Sequence, residues 1–439
     1  MDSKKKVLII CYYWPPAGGP GVQRWLKFVK YLPDFDVEPV VYCPENPSYP
    51  IIDESLVDEI PKDIITLKQP IKEPYGLASL FSKKSSKKIS SGVIPKTKKQ
   101  SFIEKLMLFV RGNFFIPDAR KNWVKPSVNY LSKYIEEHNI EIVITTGPPH
   151  SLHLIGLHLK KKLNVNWITD FRDPWTTIGY HKDLKLTKTS KAKHIALESQ
   201  VLNTADRIIV TSNHTKNEFA SKTQQPISVI TNGYDNHSVR VEGKDEKFTL
   251  SHIGSLLSER NPKVLWEVLS ELVVENEAFS KVFQLNLIGV VSDDVLESIY
   301  NFGLKKHVNI VGYVNHDEAI KFQMQSQVLL LIEIDSEDTK AIIPGKLFEY
   351  LISETPILAI GPKDSDVQQI IVSTNTGVYF NYQEKEKLKA QLLSYFEAYK
   401  NNDLRVNAIG LQPYSRKALT GKLSELIKVS NAILQSFGI

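Results

Sequence analysis

The residues best suited to chemistry lie in the run Ile343-Pro344-Gly345-Lys346-Leu347-Phe348-Glu349-Tyr350-Leu351. Pro344 and Gly345 open a helix, and the free N–H groups at a helix N-terminus accept phosphate oxygens. Lys346 adds a positive charge on the first turn. Glu349 falls one turn later on the same face, where a carboxylate can take both hydroxyls of a ribose. A helix-stabilising charge pair is the plainer alternative, but it leaves the proline-glycine entry unexplained. A second cationic group, Arg260, stands in the loop from Gly254 to Pro262, with Lys263 beside it. A guanidinium there can meet a pyrophosphate through two of its oxygens. An ordinary surface arginine fits the same spacing.

Three loops of the first half add candidates. Residues 14–21, Trp-Pro-Pro-Ala-Gly-Gly-Pro-Gly, join a strand-like run to a helical one. Backbone N–H groups at Gly18 and Gly19 can therefore approach a phosphate, or the loop is a structural turn. The dinucleotide spacing of glycines is absent, so a nicotinamide cofactor is not supported. His150 ends the run Thr145-Thr146-Gly147-Pro148-Pro149-His150 after another strand, where it can position an acceptor or serve only the turn. Asp170 heads Asp170-Phe171-Arg172-Asp173-Pro174-Trp175. It can act on an acceptor hydroxyl, or form an Asp–Arg ion pair that pins the loop. No third ligand accompanies Asp170 and Asp173, and no cysteine or histidine spacing suits a metal, so no metal is expected.

These loops need elements to position them. Short apolar runs at 7–13, 37–42, 140–145, 165–169, 207–211 and 227–230 read as buried parallel strands. Helical spacing falls at 22–32, 128–138 and 192–203. A second cycle has strands at 248–254, 283–288, 309–311, 328–332 and 357–359. Its helices fall at 264–274, 293–302, 316–324 and 346–353. The pattern is α/β, two doubly wound Rossmann-like halves rather than one barrel. The 439 residues exceed one compact core. The expected division is 1–240, 241–415 and a C-terminal helix, 416–439, packing back toward the first domain. The stretch 44–125 reads as long and irregular.

Charge is local. Residues 83–125 hold ten Lys and two Arg against Glu104 and Asp118, a formal +10 within a chain of net +6. Phe102, Leu106, Phe109 and Val110 can share one helical face there. Such a helix can lie on an anionic membrane surface or pack on the domain beneath a solvated loop. No recognition motif accompanies the charge, so nucleic acid is not an expected partner. Cys11 and Cys43 are the only cysteines. A disulfide framework is not expected, and a reducing cytosol fits. No run is long and apolar enough to span a bilayer.

Taken in order, the 18–19 loop, residues 170–175, Asn232-Gly233-Tyr234-Asp235, the Arg260 loop, Gly312-Tyr313-Val314 and 345–349 resemble a family 4 glycosyltransferase of the GT-B fold. The likeness is to the bacterial surface-polysaccharide and lipopolysaccharide type, over nearly the whole chain. It implies two domains facing a central cleft, retention of anomeric configuration, and neither metal nor bound cofactor. The donor, a nucleoside-diphosphate sugar, would bind mainly in the C-terminal domain. Gly18 and Gly19 would approach the diphosphate and reacting sugar. Arg260 and Lys346 would neutralise the leaving diphosphate, Glu349 would hold the ribose, and groups near Tyr313 and Val314 would meet the base. A glycan or lipid-linked glycan would be the acceptor. The expected place is the cytoplasm, peripheral on the inner face of the plasma membrane.

The family commonly carries a first glutamate eight positions before the second. Here that position is Ala341, with Glu337 and Asp338 as the nearest substitutes. Two alternatives follow: a catalytically silent sugar-nucleotide-binding subunit, and a nucleotide-sugar epimerase on the same fold.

Overall fold

In the computed structural model, residues 4–73, 102–179, 181, 184–235, 239 and 241–436 are described. The chain divides into two compact units. One is Met1–Asn232 with Arg416–Ile439; the other is Gly233–Ser415.

The first unit holds β1 (Lys5–Ile10), β2 (Val37–Pro44), β3 (Ile65–Gln69), β4 (Ile142–Gly147), β5 (Asn166–Phe171), β6 (Arg207–Val210) and β7 (Ile227–Val229). They form one parallel sheet in the order β3-β2-β1-β4-β5-β6-β7. The order reverses between β1 and β4, the place where open parallel sheets bind ligands beyond their strand ends. Every residue of β4 and β5 is buried, as expected where helices cover both faces. Those helices are α1 (Pro20–Tyr31), α2 (Phe102–Phe114), α3 (Val124–Glu137), α4 (Ser151–Leu163), α5 (Lys188–Thr204) and α6 (Asn213–Ala220). Val22, Trp25, Leu26 and Val29 of α1 form one buried stripe.

The second unit holds β8 (Phe248–Ile253), β9 (Phe283–Ile288), β10 (Val308–Gly312), β11 (Val328–Ile332), β12 (Ile357–Ile360) and β13 (Gly377–Phe380). These also run parallel, in the order β10-β9-β8-β11-β12-β13. Its helices are α7 (Lys263–Glu275), α8 (Glu277–Val282), α9 (Asp293–Asn301), α10 (His316–Gln325), α11 (Gly345–Leu351), α12 (Asp366–Ser373) and α13 (Lys385–Lys400). Leu265, Trp266, Leu269 and Leu272 of α7 share a core with Leu388, Leu392 and Phe396 of α13. The last helix, α14 (Arg416–Ser436), belongs to the first unit. Its Leu419, Leu423 and Ile427, four residues apart, join the core around Val22, Trp25 and Leu26.

Two features depart from the sequence reading. The 44–125 stretch is not irregular throughout: β3 pairs with β2, and α2 follows later. β3 escapes notice because it is an edge strand, only partly buried and mixed in polarity. On α2, Leu108 is buried while Leu106, Val110 and Phe114 are exposed. The lysine-rich part of the basic segment, up to residue 101, lies outside the described residues.

Candidate functional site

In the first unit, β1 leads into the 14–19 loop and then α1. The Gly18 N–H donates to the Ile51 carbonyl at 3.0 Å, and Ala17 bridges Ile52. Gly18 is therefore spent on the loop itself. Gly19 is different. Its φ is 102°, and a Cβ there would meet nothing within 4 Å. Only glycine adopts this conformation without strain, and it leaves an open approach to the start of α1.

Asp170, at the end of β5, is fully buried. Arg24 Nη2 donates to Oδ1 at 2.8 Å, while Trp25 Nε1 and Thr146 Oγ1 donate to Oδ2 at 2.9 and 2.8 Å. Arg24 also donates to the carbonyls of Ile230 and Thr231. Burial opposes the Asp170 charge, but the Arg24 charge and the hydrogen bonds of Arg24 and Thr146 hold the carboxyl below its usual range. Of the two readings of Asp170, the geometry contains the ion pair, Arg24 to Asp170 at 2.8 Å. Both oxygens are engaged, and the residue ties β5 to α1 and to the segment after β7. Its partner is Arg24, not the neighbouring Arg172.

His150 immediately precedes α4 and is 5% exposed. Its ring stacks on Trp175, centroids 4.8 Å apart at 4°. Neither ring nitrogen has a hydrogen-bond partner among the described residues. Burial, then neighbouring His153 and Arg172, pushes its pKa well below the usual value, so the ring is neutral. It lines a cavity of about 300 Å³ with Tyr13, Phe115, Asp173, Trp175 and His181. Burial raises the pKa of Asp173 against the opposing charge of Arg172. His153 has a structural task instead, with Nδ1 2.9 Å from Thr145 Oγ1.

In the second unit, His252 and Ile253 end β8, and Lys346 lies on the first turn of α11. Lys346 Nζ donates to the Ile253 carbonyl at 2.8 Å and stands 3.0 Å from His252 Nε2. Burial, reinforced by the Arg260 charge, pulls the Lys346 pKa down to about 7. Burial and the charges of Lys346 and Arg260 also hold His252 neutral. Tyr350 fixes the same corner, its hydroxyl accepting from the Ile253 N–H at 3.1 Å. Glu349 accepts from Gln323 Nε2 at 2.9 Å, and His316 Nε2 lies 3.9 Å from its other oxygen. Tyr313, just past β10, is 87% exposed, while Val314 packs partly on the core. Gly345 is the first residue of α11, which spans only seven residues and ends earlier than the sequence spacing predicts.

The structure thus gathers Arg260, Lys346 and His252 electrostatically at the end of β8, with Gly345 and Glu349 on the adjoining helix. Glu337, a candidate substitute for the Ala341 position, has a side chain that is 84% exposed and pairs with Lys340 at 2.7 Å. Sequence reasoning missed Glu333. This carboxyl follows the aliphatic strand β11, is 4% exposed, and has its pKa pushed up to about 7, mainly by burial. The available signal was a single acid directly after five aliphatic residues. Among the described residues no cluster of His, Cys, Asp and Glu could hold a metal ion.

Residues 93–237 match the model of Glycosyltransferase Family 4. The match falls almost wholly within the first unit. A glycosyltransferase from Rickettsia africae matches at TM-score 0.58 and 14% identity, covering 97% of this chain and 98% of its own. The lipopolysaccharide outer core galactosyltransferase WaaB matches at 0.57 and 13%, covering 97% and 99%. The Anabaena protein HepE, solved in complex with UDP, matches at 0.55 and 11%, covering 99% of each. These likenesses establish the GT-B fold across both units. No curated protein matches by sequence.

Proposed function

We propose that this chain is a retaining, metal-independent glycosyltransferase of the hexosyltransferase kind. It moves a sugar from a nucleoside-diphosphate sugar to an acceptor hydroxyl in bacterial cell-surface polysaccharide or glycolipid synthesis. The observation that carries this is Lys346: a half-buried lysine whose Nζ is held on the Ile253 carbonyl at the end of β8, within the field of Arg260. Two cationic groups brought together there repel each other and call for an anion. A diphosphate supplies it, and its charge grows as the glycosyl bond breaks, when fixed positive groups lower the barrier most. Arg260 and Lys346 take that role, Glu349 holds the ribose, and the exposed Tyr313 with Val314 meets the base. Gly345 offers backbone N–H beside Lys346. In the first unit, Gly19 leaves open backbone, and the His150 cavity receives the acceptor. HepE, with its bound UDP, supports a nucleotide donor by likeness.

Work at the inner face of the plasma membrane, on a lipid-linked or free glycan, completes the proposal. It is supported by the basic segment and the exposed Leu106, Val110 and Phe114 of α2. No described helix is long and apolar enough to cross a membrane.

A second reading, nucleotide-sugar binding without transfer, is favoured by Ala341. Donor turnover separates the two. Release of nucleoside diphosphate together with a lengthened acceptor supports transfer, whereas nucleotide binding without turnover supports the silent subunit. A product that keeps its nucleotide would indicate an epimerase.

A further inference from the structure

Glu333 is a buried carboxyl that the roles above leave unused. It follows β11, at the C-terminal end of a central strand. Its Oε2 accepts from the Tyr379 hydroxyl at 2.6 Å and from Ser365 Oγ at 3.0 Å. Its backbone carbonyl accepts from the Tyr382 hydroxyl at 2.7 Å. Oε1, by contrast, is buried and has no hydrogen-bond partner among the described residues.

The surroundings are shaped to this carboxyl. A Cβ on Gly361 would stand 2.3 Å from the Tyr379 hydroxyl and 2.6 Å from Glu333 Oε2, so only glycine leaves room. Tyr379 and Ser365 fix one oxygen, and the other is left facing no donor. A buried acceptor without a donor is costly to a fold, and such a group marks a place where a ligand can supply the missing bond. The charge of Arg260 acts on Glu333, Tyr382, Lys346 and His252 alike. β11 also pairs directly with β8, so Glu333 and the His252–Lys346 corner stand at the C-terminal ends of neighbouring strands. A carboxylate repels phosphate and accepts from hydroxyls. A nucleoside-diphosphate sugar carries hydroxyls on its ribose, assigned above to Glu349, and on the sugar being transferred.

We propose that Glu333 Oε1 accepts a ring hydroxyl of the transferred sugar, with Tyr379 and Ser365 as positioning residues. This inference rests on reading the second unit as a nucleotide-sugar site.

The test is calorimetric titration of the full chain with UDP, GDP and ADP, and with the glucose, galactose and N-acetylglucosamine conjugates of each. In Glu333→Gln, Tyr379 and Ser365 keep an oxygen on their side, which turns an N–H₂ donor toward the sugar. Affinity for the conjugate that wild type prefers should fall about tenfold or more. Affinity for the matching free nucleoside diphosphate should stay within about twofold, which also reports that the variant is folded. Glu333→Ala should show the same split. Equal losses for nucleotide and conjugate, or no loss for either, would overturn the proposal, while wild-type binding would still support the nucleotide-sugar reading of the second unit. Absence of binding by wild type to every nucleotide and conjugate would overturn the functional reading, and this inference with it.

Discussion

Asp170 meets donors from Arg24, Trp25 and Thr146, and its removal would leave the Arg24 guanidinium buried without its counter-charge. Asp170→Ala should therefore cost about 3–5 kcal/mol of stability in urea unfolding. Unchanged stability would return Asp170 to the list of reactive groups. The wild-type contribution should be present above the ordinary aspartate range and fade as pH falls through the lowered folded pKa. Lys346 carries the opposite lesson about pH. Its folded pKa of about 7 lies below the unfolded value of about 10.4. The folded chain then binds fewer protons between these limits, so this residue makes stability rise as pH climbs from about 7 to 10. Anion binding runs the other way. Above pH 7 the empty-site lysine is neutral and must gain a proton to meet a diphosphate. UDP or GDP affinity, whichever the protein shows, should weaken by up to about tenfold per pH unit above 7. Lys346→Met should bind weakly with a flat profile; a flat wild-type profile would refute the assignment. At this scale the sequence reveals residue types but not partners. Arg172 lies beside Asp170 in sequence, yet the ion pair comes from Arg24, 146 positions away. Glu333 looks like ordinary loop polarity until Tyr379 and Ser365 close around it.

Among the elements, strands buried on both faces were legible because nothing but aliphatic runs survives there. β9 and β11 fall at the expected residues, and α1, α7, α9 and α10 lie close to the spacing that predicts them. β13 was not legible: its four residues begin at Gly377 and are mostly half-buried. α13 hides differently. Its Lys385 and Lys389 pair with Glu267, Glu271 and Glu275 of α7, so its charged face belongs to a neighbour 118 positions away. α14 offers a direct test of packing. Leu423 is fully buried in the first unit's core, and Leu423→Ala should cost about 2–5 kcal/mol. A change below about 0.5 kcal/mol in denaturant unfolding would mean that the helix is not docked there.

At the scale of the whole molecule, charge and chemistry are unevenly divided. The proposed diphosphate groups lie in the second unit, while the first holds the His150 cavity and the basic segment. Replacing the lysines between 83 and 99 by Gln should reduce binding to anionic vesicles, since each basic residue near such a surface contributes about 1 kcal/mol. Unchanged binding at low salt would remove the membrane from the account. The GT-B architecture was legible in sequence because ordered motifs recur in both halves; the His150 cavity was not, because it is assembled from residues between Tyr13 and Leu184. The most direct test of glycosyl transfer is a turnover measurement. The protein is incubated with nucleoside-diphosphate sugars and a panel of free and lipid-linked glycans, and the products are read by mass spectrometry and by NMR of the new linkage. The expected result is a glycan longer by one sugar, one nucleoside diphosphate released per transfer, and the donor's anomeric configuration retained. Tight donor binding with no lengthened glycan across the panel, or a linkage of inverted configuration, would contradict the account.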